Sequence, residues 1–499
     1  MRRSRALRRC CAWMVAGTAI LAGCTTVGPD FKAPAAPGVE GYTRGKLAAA
    51  TASAPVPLGE AQRLGSAEPV PPDWWRQFGS ARLDDLVARA LVHSPTLAAA
   101  EATLRQAQQT YAAQAGSTLY PTVNSRLGAS RNQTESSGSG LRNGSGNLYS
   151  LYNVGISVNY NLDLFGGNRR FLESLAAQAD YQGFQLAAAR LALAGNVVTA
   201  AFSQAQFAAQ VDATAAIVKA QQDQLDIARK RFELGASARS EVLTLETQLE
   251  QNRASLPLLV NRMQQADHLL AVLIGEAPGA VDIPQFALSD FKLPQSLPVV
   301  VPSELVRGRP DIQASAALLH AATAQYGVAV ASLYPQINLS GALGTQALTV
   351  GGLFGPGTLV WALAGQLAQP LFDAGLKSAA NAAEASLQAA GANYTQTVLL
   401  ALRSVADALR TLESDAKALE AQAAADAAAQ ESLALVEQQY ELGAASYLQL
   451  LISQQQARQT RVFLILAQAQ RLADTAALYQ AMGGGTLAGA DADRTARTE

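Results

Sequence analysis

Apolar and polar residues alternate with a period of two in four places: VNSRLGAS (123–130), YNVGISVNYNLDL (152–164), QINLSGAL (336–343) and LVWALAGQLAQPLF (359–372). In the second, Val154, Ile156, Val158, Tyr160, Leu162 and Leu164 share one face, while Asn153, Ser157, Asn159, Asn161 and Asp163 share the other. That pattern is a β-strand with one apolar and one wet side. Gly- and Ser-rich stretches at 131–149 and 344–358 join the strands in pairs, so hairpins are predicted over 122–164 and 336–372. GGLFGPG (351–357) has the glycines of a phosphate loop but neither its Lys-Ser/Thr end nor a helix after it.

Between and after the hairpins Ala, Gln and Leu dominate and Gly and Pro are scarce, the composition of long helices. The tracts 168–232 and 376–441 would each reach about 100 Å at the helical rise. Shorter tracts cover 95–118 and 240–274 in the first half, and 310–333 and 446–482 in the second. Two of these, at about 36 and 52 Å, laid end to end match one long helix.

The chain repeats itself. RFELGA (231–236) and QYELGA (439–444) are 208 positions apart, and that offset carries Leu243 onto Leu451 and Gly275 onto Gly483 without a gap. LYP precedes each first strand (119–121, 333–335), and LFGG (164–167) and LFDAG (371–375) each lead from a second strand into a long helix. The expected organisation is therefore two copies of one unit, 73–301 and 302–485, followed by a disordered tail over 486–499.

Composition changes the picture mainly at the N-terminus. Residues 1–23 carry Arg2, Arg3, Arg5, Arg8 and Arg9, no acid, and then an apolar stretch from Ala12 to Ala22, the layout of a secretory signal. Its removal leaves 33 basic against 39 acidic residues, a net charge of about −6 that offers nothing to nucleic acid. The three cysteines are Cys10, Cys11 and Cys24, so cleavage before Cys24 leaves a lone thiol and no disulfide. LAGC (21–24) resembles the lipobox of bacterial lipoproteins, which implies that Cys24 becomes an acylated N-terminus carrying palmitate; Thr25, in place of Asp, implies the outer membrane. The other reading of Cys24 is a fortuitous cysteine beside an ordinary cleavage site. Residues 24–72, rich in Pro, Ala and Gly, read as an extended tether or a disordered linker. No uninterrupted apolar run of 18 residues follows Cys24.

These elements constrain one another. Inside a bilayer every backbone group must be paired within protein, so a four-stranded sheet with an apolar face cannot stand alone there. Small closed barrels need about eight strands and water-filled ones need more, so several copies must pool their strands. Alanine-rich helices about 100 Å long can pack side by side in a cylinder wet on both surfaces. The alternatives are a soluble β-sandwich packed on helices, or a long soluble coiled coil.

VGPDFKAP (27–34), WWRQFGSARLDDLVARAL (74–91), RGRPDI (307–312), LYPQINLSG (333–341), WALAGQLAQPLFDAG (361–375) and YELGAASYLQLL (440–451) together resemble the TolC-type outer-membrane efflux factors, in the lipoprotein branch that is NodT/OprM-like. The resemblance runs from Cys24 to about Gly485. It implies an α+β membrane protein, a trimeric twelve-stranded transmembrane β-barrel with four strands per chain, continued by a long periplasmic α-helical barrel. The implied role is that of the outer-membrane channel of a tripartite multidrug-resistance efflux system, conducting passively. The implied partners are a periplasmic adaptor (membrane fusion) protein, an inner-membrane pump of the resistance-nodulation type, outer-membrane lipid and two further copies of the chain. No cofactor is implied beyond the lipid on Cys24.

In that family the turns between long and short helices form the periplasmic tip, where the tunnel narrows and adaptors dock. Here the turns are 232–240 and 440–446, with Gly235 and Gly443 suited to left-handed positions. Tyr440 and Glu241 match positions whose polar contacts hold relatives closed, or are simply solvated. Ala445 replaces an arginine of some relatives, which implies a different latch. Gln449 and Ile452 fall where some relatives carry an acidic ring, and Leu448 lies between the tip and Ile452. An apolar gate that dries on closing fits these residues, as does plain helix packing.

Enzymatic function is not expected: no catalytic or metal site is assigned. His93, His268 and His320 fall on separate helical tracts without Cys/His or Asp/Glu companions at ligand spacing. Trp74 and Trp75 are expected to anchor the N-terminal segment to the tunnel, with an aromatic binding box as the other reading. Among functions, a conduit for type I protein secretion and a non-conducting periplasmic coiled-coil lipoprotein stay open. So does efflux of metal ions or aromatic compounds.

Overall fold

The computed structural model describes residues 26–35, 38–39, 41–45, 47–66, 70–134 and 147–485. Cys24 and the stretches 1–23 and 486–499 lie outside the described residues. The strands are β1 (Arg63–Ser66), β2 (Thr122–Thr134), β3 (Asn147–Leu162), β4 (Ser296–Pro298), β5 (Gln336–Ala347) and β6 (Leu359–Ala368). The α-helices are α1 (Ala81–His93), α2 (Pro95–Leu119), α3 (Gly167–Glu233), α4 (Arg239–Leu273), α5 (Pro302–Gly308), α6 (Pro310–Ala331), α7 (Ala374–Glu441) and α8 (Tyr447–Ala481). Pro95, Pro302 and Pro310 each open a helix, where a missing N–H costs nothing.

The described residues form two compact units, one of 26–34, 103–182 and 315–394, the other of 35–102, 183–314 and 395–485. In the first unit the strands make one antiparallel sheet in the order β2-β3-β5-β6. Opposed residues share a face, so the register sorts the side chains: Val123, Val158, Gly341 and Leu363 form one row, and Ser125, Ile156, Leu343 and Trp361 the next. This apolar face is uncovered, with Leu127 at 81 % and Leu363 at 80 % exposure. The strands differ in length from the alternating segments: β2 and β3 extend further into the first loop, and β6 stops at Ala368. Gln369-Pro370 follows, where Pro cannot donate to a ladder, and Asp373 then accepts from the Gly375 N–H at 2.8 Å at the start of α7.

The VGPDF stretch docks within the same unit. The Val27 N–H donates to Phe165 O at 3.0 Å, and the Arg170 guanidinium donates to Asp30 at 2.6 Å and Glu173 at 2.7 Å. His320 bonds Glu173 at 2.8 Å and stacks on Phe31 at 4.4 Å. Gly28 has φ +88°, and a Cβ there would stand 2.7 Å from Gly327 Cα, so the approach itself requires glycine.

In the second unit β1 pairs in parallel with β4. At three and four residues these strands are too short to leave an alternation in the sequence. Trp74 is buried and stacks on Tyr479 at 5.6 Å, and Phe78, Phe202, Phe286 and Phe291 continue the aromatic cluster. Trp75 packs edge-on against Trp74 at 6.0 Å. Arg471 is fully buried and donates to Leu412 O, Thr51 Oγ1 and Glu60 O, binding the N-terminal segment to α7 and α8. Arg309 donates to Ala481 O at 2.6 Å, satisfying a carbonyl at the end of α8, and to Asp311 at 2.7 Å.

Within α3, one 18-residue window is apolar enough by composition to cross a membrane, and half of it is buried inside the fold. Buried packing accounts for the apolarity of that half.

Candidate functional site

The two turns joining α3 to α4 and α7 to α8 are built alike. Gly235 and Gly443 both have φ +74°. Each helix ends in the same wrapped motif: Gly235 N–H to Phe232 O and Ala236 N–H to Arg231 O, then Gly443 N–H to Tyr440 O and Ala444 N–H to Gln439 O. Immediately before each glycine stands an almost fully solvated leucine, Leu234 at 83 % and Leu442 at 84 % exposure.

The helices that leave the turns are capped differently. Ser446 caps α8: its hydroxyl accepts from the Gln449 N–H at 3.3 Å while Gln449 Oε1 accepts from the Ser446 N–H at 2.7 Å, a closed capping box. Gln449 therefore serves its own helix. The equivalent cap of α4 is Ala238, which has no side-chain acceptor, and the residue matching Gln449 is Glu241. Freed from the box, Glu241 accepts a hydrogen bond from the Tyr440 hydroxyl.

Arg231 completes this cluster. It donates to Tyr440 Oη at 3.2 Å and lies over the Tyr440 ring at 5.4 Å. Burial, and then the Glu241 carboxylate, push the Tyr440 phenol up to about 12, with Arg231 opposing, so the hydroxyl stays a donor at any physiological pH. Tyr447 stands 6.3 Å away, its hydroxyl buried without a partner and its phenol pushed upward by burial and by Glu241. Arg231 and Tyr447 escaped the sequence reading. For Arg231 a signal existed, since it opens the repeated segment RFELGA.

Below the cluster, Leu225, Ala228, Leu245 and Leu249 form a small core with Val218, Val242, Tyr447 and Leu451 packed on it. Leu448 and Ile452 are not in that core: they are 65 % and 59 % exposed. The structure thus joins Tyr440 to Glu241, assigns Gln449 to a cap and leaves Leu448 and Ile452 on the surface of the chain.

A second polar region lies further along the helices. A cavity of about 510 Å³ is lined by Arg309, Asp311, Asp407, Asp474 and Gln480 among alanines and Leu191. Asp474 Oδ1 accepts from Gln470 at 2.7 Å, while its buried Oδ2 has no donor. Burial first, and the neighbouring Asp415 next among the groups that raise it, push the Asp474 carboxyl up to about 7. Among the described residues no group of three or more His, Cys, Asp or Glu is placed to hold a metal ion.

The sequence profile of the family described as "Outer membrane efflux protein" matches residues 86–276 and 301–484. The outer membrane protein OprJ of Pseudomonas aeruginosa is 29 % identical over 472 residues, covering 94 % of each chain. The solvent efflux pump outer membrane protein SrpC of Pseudomonas putida is 27 % identical, covering 93 % of this chain and 96 % of that protein. Among solved structures, the outer-membrane channel OprN superposes with a TM-score of 0.83 at 27 % identity, over 92 % of this chain and 99 % of that one. The open state of the Neisseria gonorrhoeae MtrE outer membrane channel gives 0.77 at 27 % identity, over 93 % and 99 %.

Proposed function

We infer function from the premise that this chain belongs to the outer membrane efflux protein family: it is an outer-membrane channel, the component of an efflux pump that passes substrates to the exterior. The finer reading follows from the sheet. Its apolar face is bare, and its two edges, β2 and β6, lack partners among the described residues. Neighbouring strands run in opposite directions, so β2 and β6 are antiparallel, and β6 of one copy can pair with β2 of the next by simple rotation. Two copies would make eight strands, an interior filled by side chains; three make twelve, the smallest such ring that leaves room for a lumen.

The chain thus works as a homotrimer whose barrel turns its apolar rows to lipid. The helices of three copies continue it as a periplasmic tunnel, and the two element series of the chain, each a hairpin, a long helix and a 35-residue helix, supply that wall twice per copy. At the tip, Tyr440, Glu241 and Arg231 hold the closed state, Leu448 and Ile452 form an apolar constriction, and the turns at Gly235 and Gly443 receive a periplasmic adaptor. An inner-membrane pump of the resistance-nodulation type supplies the energy. Acylation of Cys24 adds an anchor three positions before Val27, whose N–H donates to Phe165 O.

The observation that carries this reading is the bare apolar sheet with two open edges. Its test is the mass of the detergent-purified protein together with planar-bilayer recording. A trimer with discrete conductance steps is expected; a monomer that stays soluble without detergent after removal of its acylated terminus would sink it.

A further inference from the structure

The four strands of the sheet contain two charged residues in all, Arg126 and Arg131, both on β2. The register puts them on opposite faces. Arg131 shares the face of Val123 and Leu127, whereas Arg126 lies on the face of Asn124, Asn153, Ser157 and Ser340. Along its own row Arg126 opposes Gly155, which opposes Gly344, which opposes Val360. Beside the guanidinium there is therefore bare backbone for two strands. Both glycines are required: a Cβ on Gly155 would stand 2.8 Å from Leu343 O, and one on Gly344 2.8 Å from Gly155 Cα. Outside its backbone ladder, no described residue bonds or ion-pairs with the Arg126 guanidinium, and its side chain is exposed. Among the described residues of that face its charge is uncompensated, the others being amides, hydroxyls, small side chains and the apolar Leu151 and Val360.

We propose that Arg126 makes the barrel lumen favour anions, as a specificity-determining residue for compounds bearing carboxylate, phosphate or similar anionic groups. The proposal rests on the barrel reading above. A ring of twelve strands about 4.8 Å apart and tilted by about 40° has a backbone radius of about 12 Å. An arginine reaches roughly half that distance inward, so three symmetry-related guanidinium groups lie within about one Debye length, about 8 Å, of any ion on the axis. Three uncancelled charges at that range raise local anion concentration several-fold over cation concentration, as a rough Coulomb sum allows.

The test reads the local potential directly, without passing current through the tip. Ser157→Cys places a thiol on the same face, diagonal to Arg126. Cells carrying the full-length protein are treated from outside with two membrane-impermeant methanethiosulfonate reagents of opposite charge, and the ratio of anionic to cationic reaction rates is measured. Adding Arg126→Gln should lower that ratio about threefold, and Arg126→Lys should preserve it. With Arg126 intact, raising salt to about 1 M should collapse the ratio, a measurement that needs no folded variant at that position. An unchanged ratio in Arg126→Gln, or no salt dependence with Arg126 present, overturns the proposal and leaves the barrel standing. Inert Ser157→Cys beside reactive Ile156→Cys, on the other face, overturns the barrel reading instead.

Discussion

The Tyr440 hydroxyl donates a hydrogen bond to the Glu241 carboxylate, 199 positions earlier in the chain, and so ties the end of α7 to the first turn of α4. A hydrogen bond to a charged acceptor contributes about 1.5–3 kcal/mol when dry and less where it is half exposed, as here. Removing it with Tyr440→Phe should therefore raise the open probability of reconstituted channels about fivefold, and Glu241→Gln should do so less because an acceptor remains. Arg231→Ala should act weakly, since it leaves the Tyr440–Glu241 bond in place. The phenol titrates near 12, raised from 10, so its contribution is complete below about pH 10 and is lost as pH climbs from there through 12. Closure that weakened between pH 6 and 9 in the parent, and not in Tyr440→Phe, would contradict this latch.

At the proposed constriction, Ile452→Asp should raise cation conductance in bilayers, because in the proposed trimer a ring of three carboxylates both wets an apolar gate and attracts cations. Gln449→Ala should not. It opens a capping box, at a cost of about 1 kcal/mol to the first turn of α8, and leaves selectivity unaltered.

The solvated Leu234 and Leu442, at the proposed periplasmic tip, should matter for assembly rather than folding. Leu234→Asp together with Leu442→Asp is expected to abolish co-purification of the adaptor while leaving the trimer and its melting temperature within about 2 °C. Gly443→Ala is a contrasting control: its φ of +74° costs a side chain about 1 kcal/mol, visible as local loosening of the turn in hydrogen exchange.

Asp474 gives the helical region a pH dependence. Its folded pKa, about 7, lies above the ordinary 3.8, so the folded chain holds a proton that the unfolded chain has released between these values. Stability from this group is present below about pH 4 and declines as pH rises through 7, in total by on the order of a few kcal/mol. Asp474→Asn should flatten the decline in thermal unfolding followed from pH 5 to 8. An unchanged decline in that variant would show that the carboxyl is charged in the fold across this range.

Acylation at Cys24 is checked by metabolic labelling with radioactive palmitate. Label should disappear in Cys24→Ser while the protein still inserts in the outer membrane, because in the proposed barrel the apolar rows face lipid independently of the anchor.

The chain's own pattern determined the faces of the strands, the long helical tracts and the two glycine turns. Each of these follows from residues a few positions apart: the side-chain period of a strand, the scarcity of helix breakers, a residue type that tolerates positive φ. Tertiary structure decided what happens between distant positions. Glu241 and Gln449 occupy matching places in the two turns, yet one bonds Tyr440 and the other closes its own capping box, because Ala238 lacks the hydroxyl that Ser446 has. Arg471, an ordinary polar residue in an Ala/Gln-rich helix, is fully buried because Leu412, Thr51 and Glu60 bring oxygens to it from far along the chain. Local patterning sets which way a side chain faces; only the packing of separate segments sets what it meets there.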